Sequence, residues 1–121
     1  MITAALRGLA AATLAAAIFA ATASAPARAA EMQVKIDNFV FSPQKLTVKA
    51  GSTVTWTNED DIPHVVLATG GKPFKSKVLD TNDKYSFTFT TPGVYEYFCA
   101  LHPHMTGSIV VEAATGDSSA Q

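Results

Sequence analysis

Hydrophobic and polar residues alternate along most of the chain after residue 30. Apolar, β-branched or aromatic side chains take every second position in residues 33–37, 45–49, 53–57, 84–90 and 95–99. A period of two is the pattern of a half-buried β-strand, and Gly- and Pro-containing turns separate the segments. Since no stretch has helical periodicity, we predict roughly seven short strands in an all-β, antiparallel sandwich or barrel.

The first 29 residues have a different pattern, which predicts an export signal. Arg7 supplies a positive charge, residues 9–23 form an uncharged alanine-rich run, and Ala27-Arg28-Ala29 places small residues at a cleavage site. A retained membrane anchor is the alternative, but the run is short of about 20 apolar residues and alanine partitions weakly into hydrocarbon. We therefore predict removal of residues 1–29, a periplasmic location and no stable membrane insertion of the mature protein.

Length and charge limit the classes of function. The 121 residues contain 9 Lys plus Arg against 10 Asp plus Glu, so no basic surface argues for nucleic-acid binding. We assign one domain, expected to be monomeric, to residues 30–113 and a disordered polar tail to residues 114–121. A body of this size has modest stability unless a ligand such as a metal ion adds to it.

Residues that bind soft metals are concentrated in the sequence Cys-Ala-Leu-His-Pro-His-Met. Cys99, His102 and Met105 recur at every third position, and Pro103 argues against a regular strand or helix. We predict a tight loop that directs these three side chains to one point, with His64 from an earlier strand closing the site. Two imidazoles, a thiolate and a thioether are the donor set of a blue-copper electron-transfer centre.

Each of these residues also has a simpler explanation. A lone cysteine on an inner face is most often a core residue, but an unpaired thiol is uncommon in an exported protein. Zinc sites recruit more cysteines or carboxylates and rarely a thioether, so Met105 favours copper. A cysteine nucleophile with a histidine base leaves the methionine unexplained and has no third group to orient the histidine. We therefore predict one copper ion per chain and no enzymatic activity.

Three further stretches form a recognisable pattern: Leu46-x-Val48-x-x-Gly51-x-x-Val54-x-Trp56-x-Asn58, Pro63-His64 and residues 93–105. By this pattern the sequence, from residue 34 to residue 112, resembles the cupredoxins, small blue-copper proteins, and is most similar to amicyanin and plastocyanin-like members. The resemblance implies a Greek-key β-sandwich of about seven to eight strands. It also implies that the copper ligands are His64, Cys99, His102 and Met105.

The same resemblance implies a role and a surface. Cupredoxins shuttle single electrons between larger redox proteins, here a c-type cytochrome and a dehydrogenase or oxidase. His102 would be the electron port at the solvent edge, among apolar residues such as Leu101, while Phe98 should face outward from its strand. Copper storage or delivery is the alternative function, and it uses the same ligands.

Three positions depart from the amicyanin pattern. Val65 stands where an asparagine usually follows the first histidine, and Ala100 stands where a threonine usually follows the cysteine. A side-chain clamp between the two ligand segments is therefore in doubt. His104 stands where an aromatic or apolar residue is common. We expect it to be exposed and solvated, with a second metal or pH-dependent docking as the alternative.

Overall fold

In the computed structural model, which describes residues 30–114, eight β-strands form two four-stranded sheets. The strands are β1 Glu31–Asp37, β2 Val40–Ser42, β3 Lys45–Lys49, β4 Ser52–Asn58, β5 Leu67–Ala68, β6 Lys84–Phe89, β7 Gly93–Cys99 and β8 His102–Glu112. The first sheet has the order β2-β1-β4-β6 and the second has β3-β8-β7-β5. The predicted all-β sandwich is confirmed. The predicted leader and nearly all of the tail lie outside the described residues.

Most strand pairs are antiparallel, as predicted, but two are parallel, which the prediction did not include. β1 pairs with β4 and β3 pairs with β8 in parallel register, whereas the other pairs run antiparallel. After β2 the chain crosses to the second sheet, where it forms β3, and then returns to the first sheet as β4. Alternation along a strand identifies its buried face, but it does not identify the neighbouring strand or its direction.

The inward faces of both sheets meet around one tryptophan. Trp56 lies in the middle of β4, is fully buried and packs against the ring of Tyr97 on β7, in the opposite sheet. Phe74, Phe89 and Tyr85 surround the same indole. Aromatic contacts between the sheets support the end of β7, where the predicted cysteine ligand is located.

Tyr97 also explains a glycine on the adjacent strand. Gly107 of β8 lies directly opposite Tyr97, and a Cβ atom built on Gly107 would lie only 2.9 Å from Cε1 of the tyrosine ring. A larger residue would collide with the ring. The glycine therefore leaves the space beside β8 that the ring of Tyr97 occupies.

The predicted ligand loop lies at the junction of β7 and β8 and contains a bulge. Cys99 pairs with His102, the next pair joins Phe98 to Thr106, and residues 103–105 therefore bulge out without a partner on β7. Pro103 therefore lies at an irregularity of the strand, as predicted, although β8 as a whole runs from residue 102 to residue 112. A proline is tolerated in a bulge, since its missing N–H removes no ladder hydrogen bond there.

Candidate metal centre

Three of the four predicted ligands meet at the end of β7. The ligand atoms of His64, Cys99 and His102 all lie within 4.8 Å of one another. Sγ of Cys99 is 3.7 Å from Nδ1 of His64 and 3.6 Å from Nδ1 of His102. A single ion with bonds of about 2.3 Å to sulfur and about 2.0–2.1 Å to nitrogen, at angles of about 110–120°, holds the two donors about 3.5–3.8 Å apart. The observed separations therefore fit one shared ion.

Cys99 is placed by the alternation of β7. Tyr95, Tyr97 and Cys99 share the inward face of the strand, and the cysteine is fully buried. Its Sγ accepts a hydrogen bond of 3.3 Å from the main-chain N–H of Val65. An N–H donor stabilises the thiolate, which is the form of cysteine that binds a metal.

His64 is held in place through both its main chain and its imidazole ring. Its main chain exchanges hydrogen bonds of 3.0 and 2.8 Å with Leu79, and its side chain is fully buried. Nε2 lies 2.9 Å from Oδ2 of Asp60. Because an ionised carboxylate can only accept a hydrogen bond, Nε2 carries the proton and Nδ1 keeps a free lone pair directed at Cys99.

Asp60 is an ionised carboxylate in a buried setting. The hydrogen bond from His64 holds the pKa of Asp60 below its usual range; burial opposes this shift, and hydrogen bonds from Phe39 and Asp61 support it. The carboxyl group is therefore negatively charged at neutral pH. It is suited to orient the imidazole and to strengthen the imidazole as an electron donor.

Asn58 organises the loop that carries Asp60. The asparagine is fully buried, and its Nδ2 donates hydrogen bonds of 2.9 Å to the carbonyl of Ile62 and 2.8 Å to the carbonyl of Leu79. Its Oδ1 accepts a hydrogen bond of 2.9 Å from the main-chain N–H of Asp60. The Asn58 side chain thus links the end of β4 to two segments: the one that leads to His64, and the one that contains Leu79, the main-chain partner of His64.

His102 and Met105 lie where the site meets the surface. His102 is partly exposed, as predicted for the electron port, and its ring centroid is 5.0 Å from that of His64. Met105 is buried and lines a cavity of about 450 Å³ beside His102. The other residues of the lining are Phe39, Leu101, Pro103 and His104. The structure therefore places the methionine next to the three-residue cluster, and its role as a ligand stays a prediction.

Two of the three positions that depart from the amicyanin pattern, Val65 and His104, have clear environments. Val65 is buried and connects the two ligand segments through its main-chain N–H, so the link to Cys99 does not depend on a side chain. His104 is exposed, as expected. Phe98 turns to the outer face of its sheet, where it lines a groove together with Lys45 and Glu96.

Two residues of this site were missed by the sequence analysis. Asp60 belongs to the acidic sequence Glu59-Asp60-Asp61, which reads as a solvated loop, yet it is only 8% exposed. Phe39 reads as part of an approach to a strand, yet its ring contacts both imidazoles. The only local signal was the position of the aspartate four residues before the histidine, and that spacing has no special meaning outside a helix.

Comparisons with known proteins agree with this geometry. A family model described as a cupredoxin-like domain matches residues 9–111. Amicyanin-alpha of Methylorubrum extorquens is 42% identical over 105 residues, which cover 84% of this chain and 87% of the relative. Amicyanin of Paracoccus versutus is 35% identical over 96 residues, covering 76% of this chain and 71% of the relative.

Solved structures are similar over two thirds of the chain. A purple cupredoxin from Nitrosopumilus maritimus has a TM-score of 0.63 and 35% identity, covering 67% of this chain and 99% of the other. A Cu(I) structure of an amicyanin variant has a TM-score of 0.64 and 36% identity, covering 68% of this chain and 82% of the other. Together with the mixed nitrogen and sulfur donors, these likenesses identify a candidate copper site at His64, Cys99, His102 and Met105.

Proposed function

This chain belongs to the cupredoxin-like family, and we propose that it is a periplasmic blue copper protein that carries single electrons between redox partner proteins. The ion is held by His64, Cys99, His102 and Met105. The observation that carries the proposal is the convergence of two imidazole nitrogens and one buried thiol within 4.8 Å. The protein performs no chemistry on a substrate of its own.

The surrounding residues suit a site that changes oxidation state with little movement. Bound copper supplies the Cu(II)/Cu(I) couple. The thiolate of Cys99 favours the oxidised ion and the soft thioether of Met105 favours the reduced one, so the donor set suits both states. His64 is held by Asp60 and by its main-chain pairing with Leu79. A rigid donor set keeps the reorganisation that accompanies electron transfer small.

Electrons enter and leave at His102. His64 and Cys99 are buried, whereas His102 is partly exposed and is bordered by the exposed apolar side chains of Leu101 and Phe39. A small apolar surface around a ligand suits brief contacts with a partner protein. We infer that the partners are a c-type cytochrome and a dehydrogenase or oxidase.

Export places the copper domain in the periplasm. Residues 1–29 act as the signal, residues 30–113 form the copper domain, which works as a monomer, and residues 114–121 form a polar tail. A copper ion bound to Cys99 also explains how an exported chain keeps a single cysteine without a disulfide partner. Mass spectrometry of the protein from a periplasmic extract should give a mature chain that begins at Ala30, and an intact N-terminus would contradict the export signal.

The function is tested by reconstitution. Cu(II) added to the apoprotein should give an intense blue absorption, Cys99→Ser should abolish it, and His104→Ala should retain it as a matched control. A colourless Cu(II) complex with an intact Cys99 would exclude a blue site.

Fast, reversible voltammetry with copper retained in both states supports the electron carrier. Ready transfer of Cu(I) to an acceptor protein, with slow electron exchange, would instead indicate storage or delivery.

A further inference from the structure

The turn between β1 and β2 contains an aromatic residue that its backbone disfavours. Asp37 pairs with Val40, so the hairpin loop consists of Asn38 and Phe39, whose φ angles are 52° and 62°. A two-residue loop with positive φ at both positions is a type I′ turn, for which Asn followed by Gly is the preferred sequence. A bulky residue with positive φ is a conformational outlier. Turn geometry therefore does not explain why a phenylalanine stands here.

The ring of this residue lies against both candidate imidazole ligands. The centroid of Phe39 is 4.9 Å from that of His102 and 5.7 Å from that of His64, with interplanar angles of 89° and 85°. These are edge-to-face contacts within the usual range for aromatic pairs. The side chain is nevertheless 48% exposed, so burial in the core does not explain its conformation either.

The main chain of Phe39 is tied to the same site. Its N–H donates a hydrogen bond of 3.3 Å to Oδ2 of Asp60, the oxygen that lies 2.9 Å from Nε2 of His64. One carboxylate oxygen therefore connects the disfavoured turn to a candidate ligand. The ring of Phe39 therefore contacts two candidate ligands, and its main chain is hydrogen-bonded to the carboxylate that holds one of them. Backbone strain of this kind is concentrated at functional sites.

We propose that Phe39 is a positioning residue that holds the imidazole of His102 toward Cys99 and closes the copper site to small molecules. The proposal rests on the proposed copper function. Phe39 lines the cavity of about 450 Å³ that opens beside His102 and Met105, so loss of its ring would widen access to both side chains. Since His102 is the most exposed of the three clustered ligands, it gains most from such a restraint.

Phe39→Gly separates a structural role from a positioning role. Glycine is the residue that the type I′ turn prefers, so a purely structural role predicts an apoprotein at least as stable as the wild type and an unchanged copper site. Phe39→Tyr keeps the ring and should behave like the wild type. Asn38→Gly alters the same turn and leaves the ring in place, which makes it the matched control.

Two measurements on the copper-loaded variants test the proposal. Transfer of Cu(II) to excess EDTA should be about tenfold faster or more for Phe39→Gly, in line with the usual effect of removing a residue that supports a ligand. Added azide should change the visible and EPR spectra of this variant and leave the wild type, Phe39→Tyr and Asn38→Gly unchanged. A Phe39→Gly protein with wild-type copper release and no response to azide overturns the proposal.

A measurement on the apoprotein keeps this test separate from the proposed function. NMR of the His102 ring should show one orientation in the wild type and averaged orientations in Phe39→Gly, and an equally fixed ring in the variant overturns the positioning role. If the wild type forms no blue copper complex, the proposed function fails, while the apoprotein result still decides whether Phe39 positions His102. Chemical unfolding of the apoproteins checks that every variant is folded.

Discussion

Oδ2 of Asp60 lies 2.9 Å from Nε2 of His64, four residues further along the chain. The same oxygen accepts the N–H of Phe39, and the main-chain N–H of Asp60 is bound by the side chain of Asn58. Asp60 thus joins the β1–β2 turn and one candidate ligand through its carboxylate, and the end of β4 through its main-chain N–H. Outer groups of this kind set the orientation and basicity of a metal-bound imidazole.

Asp60→Asn should raise the reduction potential of the copper site. The carboxylate charge stabilises Cu(II) more than Cu(I), so its removal weakens the oxidised form, and each tenfold change in relative affinity equals about 59 mV for one electron. Voltammetry measures the shift. Asp61→Asn changes the same charge at an exposed neighbouring position and should shift the potential much less. Equal shifts in the two variants would show that only overall charge matters.

Asn58→Asp should destabilise the apoprotein by about 2–4 kcal/mol, because two carbonyl oxygens lose the side-chain amide as a donor and face a carboxyl group instead. The affected carbonyls belong to Ile62 and Leu79, and the oxygen of Leu79 keeps only the main-chain N–H of His64 as a donor. Urea unfolding gives the free energy directly. Asn82→Asp makes the same atomic change at an exposed site and serves as the control. A loss no larger than that of the control would contradict the bridging role of the amide.

Gly107→Ala should destabilise the fold by about 1–3 kcal/mol, since the new methyl group overlaps the ring of Tyr97 and the sheet must shift. Thermal unfolding of the apoprotein measures this. In a Tyr97→Leu background the ring is absent, so the same glycine substitution should cost much less. Additive losses in the double variant would show that the collision is not with the tyrosine.

Alkaline pH should destabilise the protein through Tyr97. Burial raises the pKa of Tyr97 from 10.0 to about 12. The nearby indole N–H of Trp56 favours the ionised phenol and opposes this shift only in part. The stabilisation is complete below pH 10, where the phenol is neutral in both states. It is lost as the pH rises toward 12, because the unfolded chain ionises first. The free energy of unfolding should fall by up to about 2.7 kcal/mol over this interval.

Tyr97→Phe isolates that effect. The variant should have a flatter pH dependence above pH 10, whereas Tyr95→Phe, on the same strand but partly exposed, should retain the wild-type slope. Within residues 30–114 the hydroxyl of Tyr97 makes no hydrogen bond, so its removal should cost little at neutral pH. Unfolding by urea at several pH values tests both statements, and parallel curves for wild type and Tyr97→Phe would refute the assignment.

The strands and most of the candidate site could be predicted because their signals are local. A period of two identifies buried faces, and the inward parity of Cys99 on β7 follows from Tyr95 and Tyr97. The three-residue spacing from Cys99 to His102 keeps both donors in one turn between adjacent strands. Only His64 comes from a distant part of the chain. Its imidazole donor, rather than its position in the sequence, indicated that it is a ligand.

The sequence by itself determined which side chains carry metal donors and which faces of the strands turn inward, since both depend on residue type and on neighbours along the chain. The tertiary structure alone decided that β1 lies parallel to β4, that Asp60 is buried against His64 and that the Phe39 ring contacts two imidazoles. These contacts join segments far apart in the chain or cross a loop of irregular backbone. No periodic pattern records such contacts, because they follow from how the two sheets pack and where the loops between them are held.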